Sequence, residues 1–199
     1  FYSVKSPFLI QPMRRRSLPS AQHSTPGSTD FFWQDYLGSE QYGPIVEQAA
    51  RKAWAKYGGK PEDLKLFIND YNLESDWDQN KKLSSLIYWI GVWEKNGAKI
   101  DGIGSQMHVS YYANESIMRS KAKAMVNMMH MMANTGKLVR ISELDMGYVR
   151  ADGTEATALD ITAEERQQMA DYYRFIIQMY LKIVPPAQQY GLCQWCLTD

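Results

Sequence analysis

Glu143 and Asp145 stand two residues apart inside the run LVRISELDMGY, from Leu138 to Tyr148. Leu138, Val139, Ile141 and Leu144 make that run apolar and partly β-branched, and Gly136 and Gly147 bracket it. This reads as a buried strand ending in two carboxylates. Side chains alternate across a strand, so both acids point to one face. Two acids at the end of a hydrophobic strand are costly unless hydrogen-bonded or used. Two readings are open at this point: an acidic strand end that caps a helix or meets an arginine, and a functional site.

Three further stretches share the pattern of an apolar strand running into polar or aromatic side chains. Leu66–Asn72 (LFINDYN) ends with Asn69 and Tyr71 on one face. Ile100–Val109 (IDGIGSQMHV) ends with Gln106 and His108 on one face, and Gly191–Asp199 carries Trp195. Together these residue types suit carbohydrate chemistry. Aromatic faces stack on sugar rings, amides and carboxylates bind hydroxyls, and a strand-end carboxylate can attack an anomeric carbon. His108, on the strand next to Glu143, is placed to hydrogen-bond it and hold it aimed, with Asp145 fixing the histidine tautomer. One histidine and two carboxylates are also a metal-ligand set. A second histidine would strengthen that reading. His23 lies in an irregular tract and His130 on a helix, so neither a metal nor another cofactor is expected.

The elements that must position these residues alternate. Ile45, Val46, Ala49, Ala50, Ala53, Trp54 and Tyr57 form one helical stripe, with Pro44 expected at the first helical position. A second helix, over about 79–95, buries Leu83, Leu86, Ile87, Ile90 and Trp93. A third, over about 115–134, is capped by Asn114 and carries a methionine stripe from Met118 to Met132, read as packing. Thr162-Ala-Glu-Glu165 is a capping box for a fourth. Strands start near 65, 100, 138 and 191, and the polar excursion 150–160 lengthens the last interval. Alternation of this kind predicts a parallel sheet with covering helices, close to half of a (β/α)₈ barrel of about 250 residues. In such folds sites are built at the carboxyl ends of the strands. Four polar strand ends in succession favour the functional reading of Glu143.

The bulk of the chain is consistent with this. It has 199 residues, 45% hydrophobic, with 22 basic and 22 acidic side chains. Zero formal net charge gives no general pull toward nucleic acid or an anionic membrane, and no apolar run approaches the ~18 residues of a membrane span. Residues 1–30 hold half of the chain's 8 prolines and the run Arg14-Arg15-Arg16, with no apolar period. They read as an irregular or disordered tract, foreign to the fold carried by residues 31–199. Cys193 and Cys196 read as small core residues. Asn114-Glu115-Ser116 is a glycosylation sequon by pattern.

Leu66–Asn72, Ile100–Val109, Val139–Met146 (VRISELDM) and Leu192–Asp199 (LCQWCLTD) resemble, in order and spacing, the glycoside hydrolase family 10 endo-1,4-β-xylanases. The resemblance runs from about Phe31 to Asp199. It implies an α/β fold of the (β/α)₈ TIM-barrel type, incomplete, with these segments as strands five to eight. It implies retaining hydrolysis of β-1,4-xylosidic bonds, with Glu143 as nucleophile, His108 as its hydrogen-bonding partner and Gln106 lining the sugar site. Tyr71 and Trp195 match positions that contact xylose rings. Xylan or a xylo-oligosaccharide is the partner implied, and a secreted location is implied by the family alone.

Retaining chemistry needs a second carboxyl about 5–5.5 Å from the nucleophile. In the family it follows Trp-x-x-x-Asn on strand four. Here the first asparagine is Asn69, and Asn114-Glu115 is the sole Asn-Glu pair. The alternative is therefore a catalytically inactive carbohydrate-binding fragment. A reading-frame slip across about Pro7–Thr29 would explain the tract, and the coding DNA tests that.

Overall fold

A computed structural model describes residues 8–10 and 33–196. They divide into two compact units. One takes in the described residues up to Asn69 together with Ser84–Gly102, and the other Asp70–Leu83 with the residues from Ile103 onward.

In the first unit, β1 (Phe8–Ile10) pairs in parallel with β2 (Leu66–Asp70), Phe8 lying opposite Leu66. β1 falls inside the tract read as irregular; the rest of residues 1–30 lies outside the described residues. A short helix, α1 (Trp33–Leu37), is separated by Gly38 at φ 77 from α2 (Ser39–Lys56). The helix α2 starts before Pro44 rather than at it. The N–H groups of Gln41 and Tyr42 already bond Gly38 O, closing the first turn upstream, and Pro44 sits inside the helix. Its inward face also differs from the expected stripe. Tyr42, Gly43, Pro44 and Glu47 are buried, while Ile45 and Tyr57 are exposed. Two contacts fix this rotation. A Cβ on Gly43 would lie 2.4 Å from the Trp93 ring, so only glycine permits the approach. Glu47 is satisfied by Arg51, whose Nη2 also reaches Asp101 Oδ2 (3.0 Å); that carboxylate accepts the Leu66 N–H at 2.9 Å.

The second unit holds β3 (Gly102–Ser105, from Ile103), β4 (His108–Tyr112), α4 (Glu115–Ala133), β5 (Leu138–Val149), α5 (Ala163–Ile183) and β6 (Gln189–Gln194). β5 is its spine. β3 neighbours β5, β4 pairs with it in parallel along Asp145–Val149, and β6 pairs in parallel along Val139–Leu144. The expected strand 100–109 is thus two strands. Met107, fully buried at φ 58, breaks it, and His108 opens the second piece. β5 in turn does not end at its acids: β4 extends the pairing to Val149.

The caps are where local chemistry predicts them. Asn114 accepts the N–H groups of Ser116 and Ile117, and Thr162 with Glu165 forms a reciprocal capping box. Met125, Met128, Met129 and Met132 line the buried face of α4. Tyr180 of α5 donates its hydroxyl to Val139 O (2.8 Å) and accepts the Gly191 N–H (3.1 Å), tying the helix to β5 and β6. Cys193 and Cys196 are exposed free thiols, not core residues. Cys193 lies near the exposed end of β6 and Cys196 two residues past it, and neither is covered among the described residues. The helix α3 (Lys81–Lys95) buries Leu83, Leu86, Ile90 and Trp93. Among the described residues no helix is long and apolar enough to cross a membrane.

Candidate active site

Glu143 is held from both sides of β5. Its own N–H donates to Gln106 O (3.1 Å), Ser142 Oγ donates to Ser105 O (3.2 Å), and the Trp195 N–H donates to Leu144 O (3.0 Å). These bonds fix the strand on which the carboxylate rides. In the β4–β5 register His108 lies opposite Asp145. Its imidazole therefore falls between the two acids, with Nδ1 2.8 Å from Asp145 Oδ2 and Nε2 3.3 Å from Glu143 Oε2. A ring N–H directed at either carboxylate orients both ring and acid. The Trp195 ring meets the imidazole edge-on, centroids 6.0 Å apart, and stays about half exposed. The Glu143 side chain is 11% exposed against 41% for Asp145, so the cluster has an inner and an outer acid. A half-exposed indole beside an inner, aimed carboxylate can stack on a ring while the acid reaches an adjacent carbon.

Glu143, His108, Asp145 and Trp195 are brought together. Gln106 joins them through its backbone: it bridges the Asp70 carbonyl, through its N–H at 2.9 Å, and Glu143, through its carbonyl. Its side chain is half-buried on the segment between β3 and β4, not on a strand. Tyr71 follows β2 directly. Asn69 is fully buried on β2 and belongs to the first unit.

Two polar residues went unsingled by the sequence pattern. Burial pushes the Glu74 carboxyl up, and Ser105 Oγ donates to it at 3.2 Å. Lys82, in the first turn of α3, bonds Asp70 and the Tyr71 carbonyl. The signal for Lys82 was present: α3 opens on two lysines with no acid in its first turn, where the helix dipole disfavours cations. Among the described residues no group of three or more His, Cys, Asp or Glu side chains is placed to hold a metal ion.

The model of glycosyl hydrolase family 10 matches residues 20–199. An endo-1,4-beta-xylanase A of Cellvibrio japonicus is 26% identical over 190 residues, covering 91% of this chain and 28% of that protein. One of Halalkalibacterium halodurans is 31% identical over 169 residues, covering 84% and 38%. Among solved structures, the catalytic core of a xylanase A superposes with a TM-score of 0.62 at 25% identity, over 89% of this chain and 49% of that one. A variant of xylanase10C from Cellvibrio japonicus, in complex with xylopentaose, superposes with a TM-score of 0.60 at 25% identity, over 79% and 29%. The fold is α/β, an incomplete (β/α)₈ barrel, and the chain spans less than half the length of these relatives.

Proposed function

The chain belongs to glycosyl hydrolase family 10, and from that premise we propose that it carries the nucleophile half of a retaining endo-1,4-β-xylanase site, with Glu143 as the attacking carboxylate. Glu143 adds to the anomeric carbon as the bond to the leaving sugar breaks, giving a glycosyl ester. Water then cleaves the ester from the opposite side, so configuration is retained. Proton donation to the leaving oxygen falls to a second carboxyl. The observation that carries this reading is His108 lying between Glu143 and Asp145. The imidazole keeps the Glu143 oxygen from swinging away from the sugar, and Asp145 keeps the imidazole from turning. Trp195 supplies a stacking face, and Tyr71 and Gln106 supply hydroxyl contacts. The xylopentaose bound in a structural neighbour supports a β-1,4-xylan chain as the substrate.

Reducing-sugar release from soluble xylan tests the reading. It is expected to disappear in Glu143→Gln, and a mechanism-based xylobioside is expected to label Glu143. Labelling elsewhere overturns the nucleophile. One observation favours a second reading, a binding fragment without turnover: Asn114-Glu115, the sole Asn-Glu pair, caps and opens α4 instead of ending a strand. Retained xylo-oligosaccharide binding with no hydrolysis would select it.

A further inference from the structure

Eleven residues beyond Tyr71, the chain returns to it. Lys82 Nζ lies 2.6 Å from Tyr71 O, 2.9 Å from Asp70 Oδ1 and 3.5 Å from the centroid of the Tyr71 ring. Asp70 Oδ1 also accepts the Tyr71 N–H at 2.8 Å. One ammonium thus grips the backbone carbonyl, the preceding carboxylate and the aromatic face of a single residue. Asp70 is almost fully buried, and burial pushes its carboxyl up while Lys82 opposes the shift.

The loop between them cannot easily carry Lys82 away. Asn80, buried at φ 57, donates to Leu73 O (2.8 Å) and Ala124 O (3.1 Å) and accepts from Asn127 (2.9 Å). Asp78 accepts the Lys82 N–H at 3.0 Å and the Ser75 hydroxyl at 2.6 Å. Lys82 holds its place against the positive end of its own helix, which sets a cost that its three contacts must outweigh.

We propose that Lys82 is a positioning residue for the sugar site: it fixes the Tyr71 ring by occupying one of its faces, so that only the opposite face and the hydroxyl edge are offered to a xylose ring. This rests on the reading of Tyr71 as a sugar contact. A neutral side chain at 82 frees the ring to rotate and opens its second face. Arginine, with a planar cation of similar reach, restores the stacking and the grip on Asp70.

The test uses the full chain, xylotriose as the probe and tyrosine ring resonances assigned with Tyr71→Phe. Lys82→Met strands a buried carboxylate, so the Asp70→Asn/Lys82→Met pair is measured beside it and keeps the fold free of an unpaired charge. Both variants are expected to shift and broaden the Tyr71 ring signals without ligand and to weaken xylotriose binding about tenfold. Lys82→Arg is expected to recover most of both. Ring signals unmoved in the double variant overturn the proposal, as does binding unchanged while the signals move. Wild-type protein that does not bind xylotriose at all sinks the sugar-site reading instead, and with it the positioning role.

Discussion

His108 and Arg150 are both cations, or potential cations, set between two carboxylates, and both depend on β5. Arg150, just past the strand, donates Nε to Glu165 (2.8 Å), Nη1 to Asp160 (3.2 Å) and Nη2 to the Asp160 carbonyl (3.2 Å). Its acids are already occupied with shape. Asp160 accepts the N–H and hydroxyl of Thr157, and Glu165 accepts the Thr162 N–H as half of the capping box. The Thr157 N–H and then Arg150 hold Asp160 down to about 2, and Arg150 holds Glu165 below the usual carboxylate range. Around His108 the bonds are spent differently. Each ring nitrogen faces one acid, and among the described residues neither Glu143 nor Asp145 closes a turn or a cap. The composition of the two clusters is nearly the same. An acid pair around a cation is scaffolding when its lone pairs are committed to main-chain N–H groups, and available for chemistry when they are not.

The sharpest way to break that contrast is Glu143→Gln. Xylan hydrolysis is expected to fall at least about a thousandfold, with the melting temperature almost unmoved. Activity that survives would place Glu143 with the scaffolding acids. His108→Asn should lower turnover by about one to two orders of magnitude, since it loosens the carboxylate proposed as nucleophile without removing it; an unchanged rate would strip the imidazole of its proposed aiming role. Arg150→Met should do the reverse, lowering the melting temperature by a few degrees while leaving hydrolysis per folded molecule unchanged. The smallest effect is in pH. Asp160 titrates lower when folded than the ordinary aspartate value of about 3.9. Its stabilising contribution is therefore present above that value and lost as pH falls toward about 2. Melting curves of Asp160→Asn should show a shallower loss between pH 4 and 2 than the parent; parallel curves would refute the assignment.

Where structure follows from neighbours in sequence, it was legible. The capping box at Thr162, the Asn114 cap and the inner face of α3 need only local spacing. The meeting of His108, Asp145 and Glu143 was legible too, because the two acids alternate onto one face of β5 and His108 lies on the parallel strand beside it. Of Lys82 only its odd place, a cation in the first turn of α3, was legible; its partners lie a full loop away, and helix periodicity is blind to a side chain that turns back along its axis. The start of α2 was missed because Pro44 is tolerated at a first position but does not require one, and Gly38 had already closed a turn. Cys193 and Cys196 were misplaced because composition ranks cysteine as buried wherever it falls.

The left-handed residue between β3 and β4 has a consequence for variation in this chain. A strand counts its faces in twos, and Met107 is an off-beat: the count that ends at Ser105 does not carry through to His108. The imidazole meets its acids because that phase is set correctly once. A one-residue insertion or deletion between Ser105 and His108 would leave the histidine and both carboxylates in the sequence, and every motif still readable, yet send them to different faces. Intact spelling is then no guarantee of an intact site; the phase at Met107 has to be inherited as well.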